Sequence, residues 1–368
     1  MGKNLGWINN VLKRIIPLLL VIFGSTLILS LLLQLLPVGL KDLYIAPGDE
    51  ASVNEQLKSL GLDGNAFTFY FHWLNDFVRG NFGYIIFPGG GREPVSNRLA
   101  TALPISLRLV FYVQIVSLLV SVPLGIYTAY RAGRRSDRAI SYSLFAAASV
   151  PNFVFGLLLA IFIGVKLGWL PPLGYVDPSE SLVEHIKTMV LPVLSLSIPT
   201  IATYSRLLRS DVIATLREDY VTMAASKGLS NRRILFTHVL RPSSTTLFTS
   251  AALNMGALIG GTLVIEQIFS IPGLGSEIGI AIFSRQFFAL QSYIAIIAVG
   301  YVLFNGIIDV VLGFVGGNLL GLHQYQLIYL GTVAQVFLKG NAEVGNMLGK
   351  KLAGILIAFR QRSMQHNK

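Results

Sequence analysis

The chain has 368 residues, of which 53% are hydrophobic and only 13% charged, with a net charge of +11 and a mean hydropathy of +0.64. Soluble domains carry about 25% charged residues, so this composition excludes an ordinary water-covered surface and predicts an integral membrane protein. The absence of cysteine also excludes disulfides, thiolate metal sites and a cysteine nucleophile.

Six apolar runs are long enough to cross a membrane, which takes about 20 residues for about 30 Å of hydrocarbon. They are Ile15–Leu36, Leu103–Ala129, Ile140–Val165, Met189–Leu208, Thr245–Ile265 and Phe287–Val315. The backbone must satisfy its own hydrogen bonds in lipid, and the runs are too long for barrel strands. We therefore predict an all-α, polytopic membrane protein with about six transmembrane helices. The first run exceeds a signal-peptide core of about 7–15 residues and no small-residue cleavage site follows, so we expect it to be retained.

The segment after the first run, residues 37–103, is predicted to lie outside the membrane. An aromatic cluster within it is typical of a helix at the membrane interface; its members are Phe69, Tyr70, Phe71, Trp73 and Phe77. Gly89–Gly91 predicts a flexible turn, and no P-loop pattern follows it.

The distribution of charge predicts the orientation. With a cytoplasmic N-terminus, the inside segments 1–14, 130–138, 206–241 and 317–368 hold 20 of the 29 basic residues and 5 acidic ones. The outside segments hold 7 basic and 11 acidic residues. This follows the positive-inside rule, so both termini are predicted to be cytoplasmic. The net charge then reflects topology and some attraction to anionic lipid, and nucleic-acid binding has little support.

Chemistry-bearing residues are sparse, and no catalytic or metal-binding constellation occurs. The five histidines show no metal-ligand spacing, and we expect each to be solvated or to cap a helix; they are His72, His185, His238, His323 and His366. Arg108 and Lys166 lie near predicted outer ends of spans and are expected to snorkel. Glu266 and Asp309 are candidates for a translocation path or for a polar contact between helices. With so few intramembrane ionisable residues, the chain is not predicted to power transport by itself.

One polar stretch, "REDYVTMAASKGLSNRRILFTHVLRPS" (217–243), separates two apolar spans. Apolar residues at helical spacing lie on both sides of Gly228, where a helix can end in a left-handed residue. Ser230 or Asn231 can cap the next helix. We predict two short amphipathic helices joined by a tight turn. A partner protein would cover their apolar face, and the alternative is that the pair lies on the bilayer.

The tail after residue 317 contains "YQLIYLGTVAQVFL", which at 14 residues favours a packed or interfacial helix over a span. Farther on, Leu348, Leu352, Ile355 and Phe359 share one helical face beside basic residues. This predicts a basic helix at the membrane surface or a tail without fixed structure, and both alternatives stay open.

The polar stretch resembles the EAA loop of binding-protein-dependent ABC import permeases, in the form of the dipeptide/oligopeptide/nickel branch. The resemblance extends over about residues 1–312 through short matches in order, including "LGLDG", "FVRGNFGY", "LPISLRL", "SVPLGIYTAYRAGRRSDRAI", "SVPNFVFGLLL", "LGWLPPLGY" and "EQIFSIPGLG". Two departures are evident. Thr222 stands at the loop's leading glutamate position and Met223 at its second position, and the usual D-P-R ending after the last helix is absent.

The resemblance implies a type I ABC importer permease fold in the bacterial inner (plasma) membrane. It divides the chain into residues 1–102, a permease core at 103–316 with a coupling loop at 209–243, and an atypical tail at 317–368. It also implies that the loop docks on a separate ATPase subunit through Asp219, Tyr220, Ala224, Ala225, Lys227, Gly228 and Leu229.

The partners that the resemblance implies are a second homologous permease, two ATPase subunits or domains, an extracytoplasmic substrate-binding protein and membrane lipid. ATP and Mg²⁺ would be bound by the ATPases, and this chain would hold no cofactor and catalyse no reaction. Peptides are the expected substrate. The alternatives are nickel or another small solute, or a stand-alone channel or secondary carrier.

Overall fold

The computed structural model describes residues 22–28, 30–31, 66–87 and 91–316, with side chains up to Phe304. All contacts below fall within one compact unit, Met1–Ile308. The elements in chain order are α1 Ala66–Val78, β1 Tyr84–Ile86, β2 Arg92–Pro94, α2 Val95–Tyr130, α3 Arg135–Ser149, α4 Asn152–Leu159, α5 Leu182–Thr215, α6 Asp219–Ser226, α7 Asn231–Phe269, α8 Leu274–Phe283 and α9 Phe287–Gly316. A π-helical segment, Ala160–Lys166, continues α4, and another, Ile234–Val239, lies within α7.

Four of these helices are long and apolar enough to cross a membrane: α2, α5, α7 and the Phe287–Phe304 part of α9. The pair formed by α3 and α4 makes a fifth if it counts as one bent span. The predicted first span is described only at residues 22–28 and 30–31, which are helical; its remainder lies outside the described residues.

The predicted third span, Ile140–Val165, is wrong as a continuous helix. α3 and α4 meet at an angle of 97° across Val150 and Pro151. Val150 is extended, with φ −92° and ψ 128°, as expected of a residue whose α conformation is disfavoured by the following proline ring. Pro151 then occupies the N-cap position before α4, where no intrahelical hydrogen bond needs its missing N–H.

Small residues bring α2 and α5 together. A Cβ added to Gly125 would lie 3.0 Å from the Ser205 carbonyl oxygen and 3.1 Å from Leu208 Cβ. The hydroxyl of Ser205 donates to the Ser121 carbonyl at 3.4 Å, and Ser197 to that of Val113 at the same distance. Close backbone approach through Gly and Ser is the usual basis of helix packing in membranes, where burial of apolar surface gives no preference for protein over lipid.

The described part of the segment before α2 contains a helix, α1, and also a short antiparallel pair of strands. β1 and β2 pair Tyr84 with Pro94 and Ile86 with Arg92, and the predicted Gly89–Gly91 turn falls between them, with only Gly91 described. In α1 the aromatic cluster is divided. Tyr70 and Trp73 are buried against the protein, whereas Phe71 is exposed.

Buried polar contacts fix the position of α1. The Tyr70 hydroxyl lies 2.9 Å from the Thr26 hydroxyl in the first helical stretch, and Trp73 Nε1 donates to Ser292 of α9 at 3.1 Å. α1 therefore uses part of its aromatic surface to pack on the bundle.

Candidate functional site: the polar loop and its anchors

The turn after α6 is a Schellman motif centred on Gly228, as its position in the sequence predicted. Gly228 has φ +76°. Its N–H donates to the Ala225 carbonyl at 2.9 Å, and the Leu229 N–H donates to that of Ala224 at 3.4 Å. These two bonds satisfy carbonyls that the end of a helix leaves unpaired. The left-handed conformation has no steric cost for glycine, because glycine has no Cβ.

The second half of the prediction needs correction. The helix that begins at Asn231 is not a short separate element but the start of α7, which runs 39 residues to Phe269. Ser230 occupies the N-cap position, yet its side chain makes no capping hydrogen bond. The helix continues without interruption through the polar residues 241–246 into the apolar span.

The inner face of the loop packs on the chain itself. Val221 and Ala224 of α6 are buried in one cluster with Leu208 and Val212 of α5 and Val239 of α7. A hydrogen bond between Ser243 Oγ and Thr215 Oγ1, 2.9 Å long, joins the ends of α5 and α7 beside it. The loop is therefore held by α5 and α7 together.

A proline supplies a further link that the sequence analysis missed. Pro242 has no N–H to bond the carbonyl of His238, four residues earlier. The Tyr220 hydroxyl donates to that carbonyl at 3.4 Å, which ties α6 to the π-helical segment of α7. The sequence did contain a signal for this contact. Pro242 leaves the His238 carbonyl without its helical partner, and Tyr220 supplies a hydroxyl donor in the same loop.

The outer face of the loop is open. Among the seven predicted coupling residues, Ala224 is buried and Leu229 is partly buried, and the others are exposed; those are Asp219, Tyr220, Ala225, Lys227 and Gly228. Met223 is 59% exposed and Tyr220 45% exposed. A Cβ added to Gly228 would meet nothing within 4 Å. The loop thus offers an exposed apolar and basic surface on a firmly packed base.

Glu266, the first candidate of the translocation path, is fully buried near the end of α7. Its Oε1 accepts a hydrogen bond from the Ser106 hydroxyl of α2 at 2.7 Å, and its Oε2 accepts from the Ser276 N–H at 3.1 Å. The Ser106 hydroxyl oxygen in turn accepts from the Leu274 N–H at 2.7 Å. The carboxylate therefore satisfies the N-terminus of α8, where unpaired N–H groups and the helix dipole favour negative charge.

Asp309, the second candidate, lies in α9, but its side chain is outside the described residues. Among the described residues, no group of three His, Asp or Glu side chains is placed to hold a metal ion.

His185 contradicts the expectation that every histidine is solvated or caps a helix. It is fully buried in the first turn of α5. Its Nδ1 lies 2.7 Å from the Val176 carbonyl oxygen and its Nε2 3.2 Å from the Tyr112 hydroxyl. The loop before α5 folds over the ring, which local sequence does not reveal.

Arg108 is bonded to the same loop before α5 and is not a freely snorkelling side chain. It donates to Asp177 at 2.9 Å and to the Tyr175 hydroxyl at 2.8 Å. Hydrogen bonds from the backbone N–H and hydroxyl of Ser179, together with Arg108, hold the pKa of Asp177 well below its usual range. The carboxylate consequently stays ionised, and the loop between α4 and α5 stays paired to α2 in moderate acid.

Comparison with known proteins gives a consistent assignment. The profile of one family, described as "Binding-protein-dependent transport system inner membrane component", matches residues 121–318. A probable peptide ABC transporter permease protein of Sinorhizobium fredii, y4tP, is 33% identical over 278 residues, covering 73% of this chain and 88% of its own length. The oligopeptide transport system permease protein AppB of Bacillus subtilis is 30% identical, with coverage of 83% and 97%.

A third relative, the glutathione transport system permease protein GsiC of Escherichia coli, is 29% identical, covering 82% of this chain and 96% of its own. Among solved structures, an inward-facing MetNI methionine ABC transporter aligns with a TM-score of 0.50 at 15% identity. It covers 61% of this chain and 98% of that chain. At this identity the likeness concerns the fold alone.

Proposed function

Because this chain belongs to the family of binding-protein-dependent transport system inner membrane components, we propose that it forms the translocation path for peptides in an ATP-driven importer. Membership makes it a multi-pass membrane permease and not a catalytic subunit, and it implies ATPase and substrate-binding partners. The stand-alone channel and the secondary carrier are thereby excluded.

The peptide substrate is supported by the relatives. Two of the three are named for peptides or oligopeptides and the third for glutathione. The number of intramembrane ionisable residues is small, which fits a path that does not itself couple to ions. A permease of this family for nickel or another small solute remains the alternative.

The coupling of transport to ATP is assigned to the loop at 209–243, and the observation that carries it is the open Gly228 turn on a packed base. The exposed residues of α6 and the turn would enter a cleft on an ATPase subunit, which binds ATP and Mg²⁺. The buried residues Val221 and Ala224 would pass the displacement of α6 to α5, and the Tyr220 bond to the His238 carbonyl would pass it to α7. ATP-driven closure of two ATPases would thus move two spans of each permease.

Glu266 is assigned a structural role instead of a place in the path. Both carboxylate oxygens already accept hydrogen bonds within the chain, and the side chain has no exposed surface. It is an interhelix contact that joins α2, α7 and α8. The role of Asp309 stays a prediction.

The remaining partners follow the same logic. A second homologous permease would complete the path. Lipid would cover exposed apolar side chains such as Leu119 of α2 and Phe162 of the π-helical segment after α4. Residues 1–102 would form the first helix and the extracytoplasmic segment, residues 103–316 the core, and residues 317–368 a cytoplasmic tail. Reporter fusions at position 60 and after position 320 are expected to report opposite sides, and the same side for both would contradict this topology.

The decisive experiment is expression of this chain with its candidate partner subunits, purification through a tag on this chain, and reconstitution. We expect ATPase subunits to copurify and ATP hydrolysis to rise when peptide-loaded binding protein is added. If a nickel-loaded receptor stimulated ATP hydrolysis and a peptide-loaded one did not, the substrate assignment would change from peptides to nickel. Absence of any copurifying ATPase would contradict the coupling assignment.

A further inference from the structure

A cavity of about 140 Å³ lies between α2, α3 and α5, away from α6 and the Gly228 turn. Its polar wall comes from Thr128, Ser141, Arg206 and Arg209, and its apolar wall includes Leu144 and Phe145 of α3. The room exceeds that needed for one water molecule. The lining thus places two guanidinium groups beside hydrocarbon.

One of the two arginines is internally paired. Arg209 donates through Nε and Nη2 to the two oxygens of Asp137, each at 2.8 Å. The Asp137 carboxylate also accepts from the Gly133 N–H at 2.9 Å and from the Ser141 hydroxyl at 3.2 Å. This pair is close to neutral and rigid, and Nη1 of Arg209 takes no part in it.

Arg206, the second arginine of the lining, carries a positive charge that no acidic side chain of the described residues neutralises. It is exposed, and no ion pair or hydrogen bond joins it to any side chain in the part of the chain that the structure describes. Between positions 131 and 141 there are four arginines and one acidic residue, Asp137. Since Asp137 is already paired with Arg209, Arg206 leaves the cavity lining with a net positive charge.

The apolar wall decides what kind of anion fits. Phe145 is 64% exposed and Tyr142, on the same helix, is 71% exposed. A free phosphate would satisfy Arg206 but leave this hydrocarbon uncovered, whereas an anionic amphiphile covers both. The positive-inside pattern places this end of α2 and α5 at the cytoplasmic leaflet, where anionic lipids are concentrated and basic pockets between helices bind their headgroups.

We propose that this cavity is a binding site for an anionic phospholipid. The phosphate accepts hydrogen bonds from Arg206 and from Nη1 of Arg209, and an acyl chain lies along Leu144 and Phe145. The lipid fastens α3 to α5. Arg209 is six residues, or about 9 Å along the helix axis, from the end of α5 at Thr215, beyond which lie α6 and the Gly228 turn.

The test uses the full-length chain purified with its partner subunits and placed in phosphatidylcholine nanodiscs. Dioleoylphosphatidylglycerol is titrated in, and native mass spectrometry counts the molecules retained. Arg206→Gln removes the unpaired charge without touching the Asp137 pair. Ala148→Phe fills the exposed mouth of the cavity without changing charge. Arg79→Gln is the matched control, since Arg79 is exposed and expected on the outer side.

Wild-type protein is expected to retain phosphatidylglycerol in preference to phosphatidylcholine, and inorganic phosphate at millimolar concentration should not displace it. Arg206→Gln should weaken retention about fivefold, which corresponds to the roughly 1 kcal/mol that one arginine contributes to binding at an anionic surface. Ala148→Phe should weaken it comparably, and Arg79→Gln should leave it unchanged.

Equal retention by wild type and Arg206→Gln, or equal loss in Arg206→Gln and Arg79→Gln, would overturn the site. Displacement by inorganic phosphate would identify a free-anion site instead. The readout is lipid retention and needs no transport, so its failure is separate from failure of the importer assignment.

Discussion

Gly228 and Gly273 both lie at helix ends, yet the space around them is opposite in kind. Gly228 has φ +76°, and a Cβ there would meet nothing within 4 Å. Gly273, just before α8, has an ordinary φ of −94°, but a Cβ would lie 2.5 Å from Glu266 Oε2 and 2.6 Å from Ser106 Oγ. One glycine serves the backbone conformation and leaves its surroundings free for a partner. The other serves internal packing, so substitutions should separate function from folding.

The largest effect is expected for Gly273→Leu. The side chain would displace the Glu266 carboxylate and Ser106, and overpacking of this kind costs typically 1–3 kcal/mol of folding free energy. Membrane abundance, measured by immunoblot, should fall several-fold, and peptide uptake should fall with it. Gly260→Leu is the control, because Gly260 is exposed on α7 with nothing within 4 Å of its Cβ position. Normal abundance of the Gly273 variant would contradict the packed corner.

Gly228→Glu should abolish uptake while lowering abundance no more than Gly133→Glu does. The positive φ costs a residue with a Cβ about 1–2 kcal/mol, and the carboxylate would clash only with a docked partner. Gly133→Glu is a matched control, since Gly133 has φ +81° and an equally open Cβ position in another loop. Uptake and ATPase copurification are measured for both. Loss of uptake in both variants alike would attribute the effect to backbone strain and remove the docking interpretation.

Glu266→Gln should have an intermediate effect. The amide has one acceptor oxygen where the carboxylate has two. It can therefore replace the acceptor for the Ser106 hydroxyl or for the Ser276 N–H but not for both, and one donor loses its partner. Such a loss costs about 1–3 kcal/mol, which should lower the thermal unfolding midpoint of the solubilised protein. Glu184→Gln is the control, because its ion pair with Lys187 is about half exposed and surface pairs contribute little. If Glu266→Gln were as stable as wild type but lost uptake, the path assignment would return.

The smallest effect is expected for Ser226→Ala. The hydroxyl donates to the Thr222 carbonyl within α6 at 3.0 Å and faces solvent. Removing it should change stability by less than about 0.5 kcal/mol and leave uptake near wild type. A severe uptake defect in this variant at normal abundance would show that docking depends on the hydroxyl, which the open turn alone does not predict.

The predictions from sequence that the structure confirms rest on short-range patterns. The Gly228 turn needs only a glycine after an amphipathic run, and its Schellman bonds join residues three to five positions apart. The spans containing α2, α5 and α7 follow from hydropathy in the same way. The bend at Val150–Pro151 was also local, and it was overlooked because hydropathy does not register backbone direction.

The sequence by itself determined that this chain is a helical membrane protein, where its main spans lie and which residue makes the loop turn. Those properties depend on apolar composition and on the backbone freedom of single residues. Only the tertiary structure decided what Glu266, His185 and Asp137 do, because their partners come from distant positions. Ser106 is 160 residues from Glu266, and Arg209 is 72 residues from Asp137. In a low-dielectric interior a buried charge is tolerated only beside such partners, and no local pattern names them.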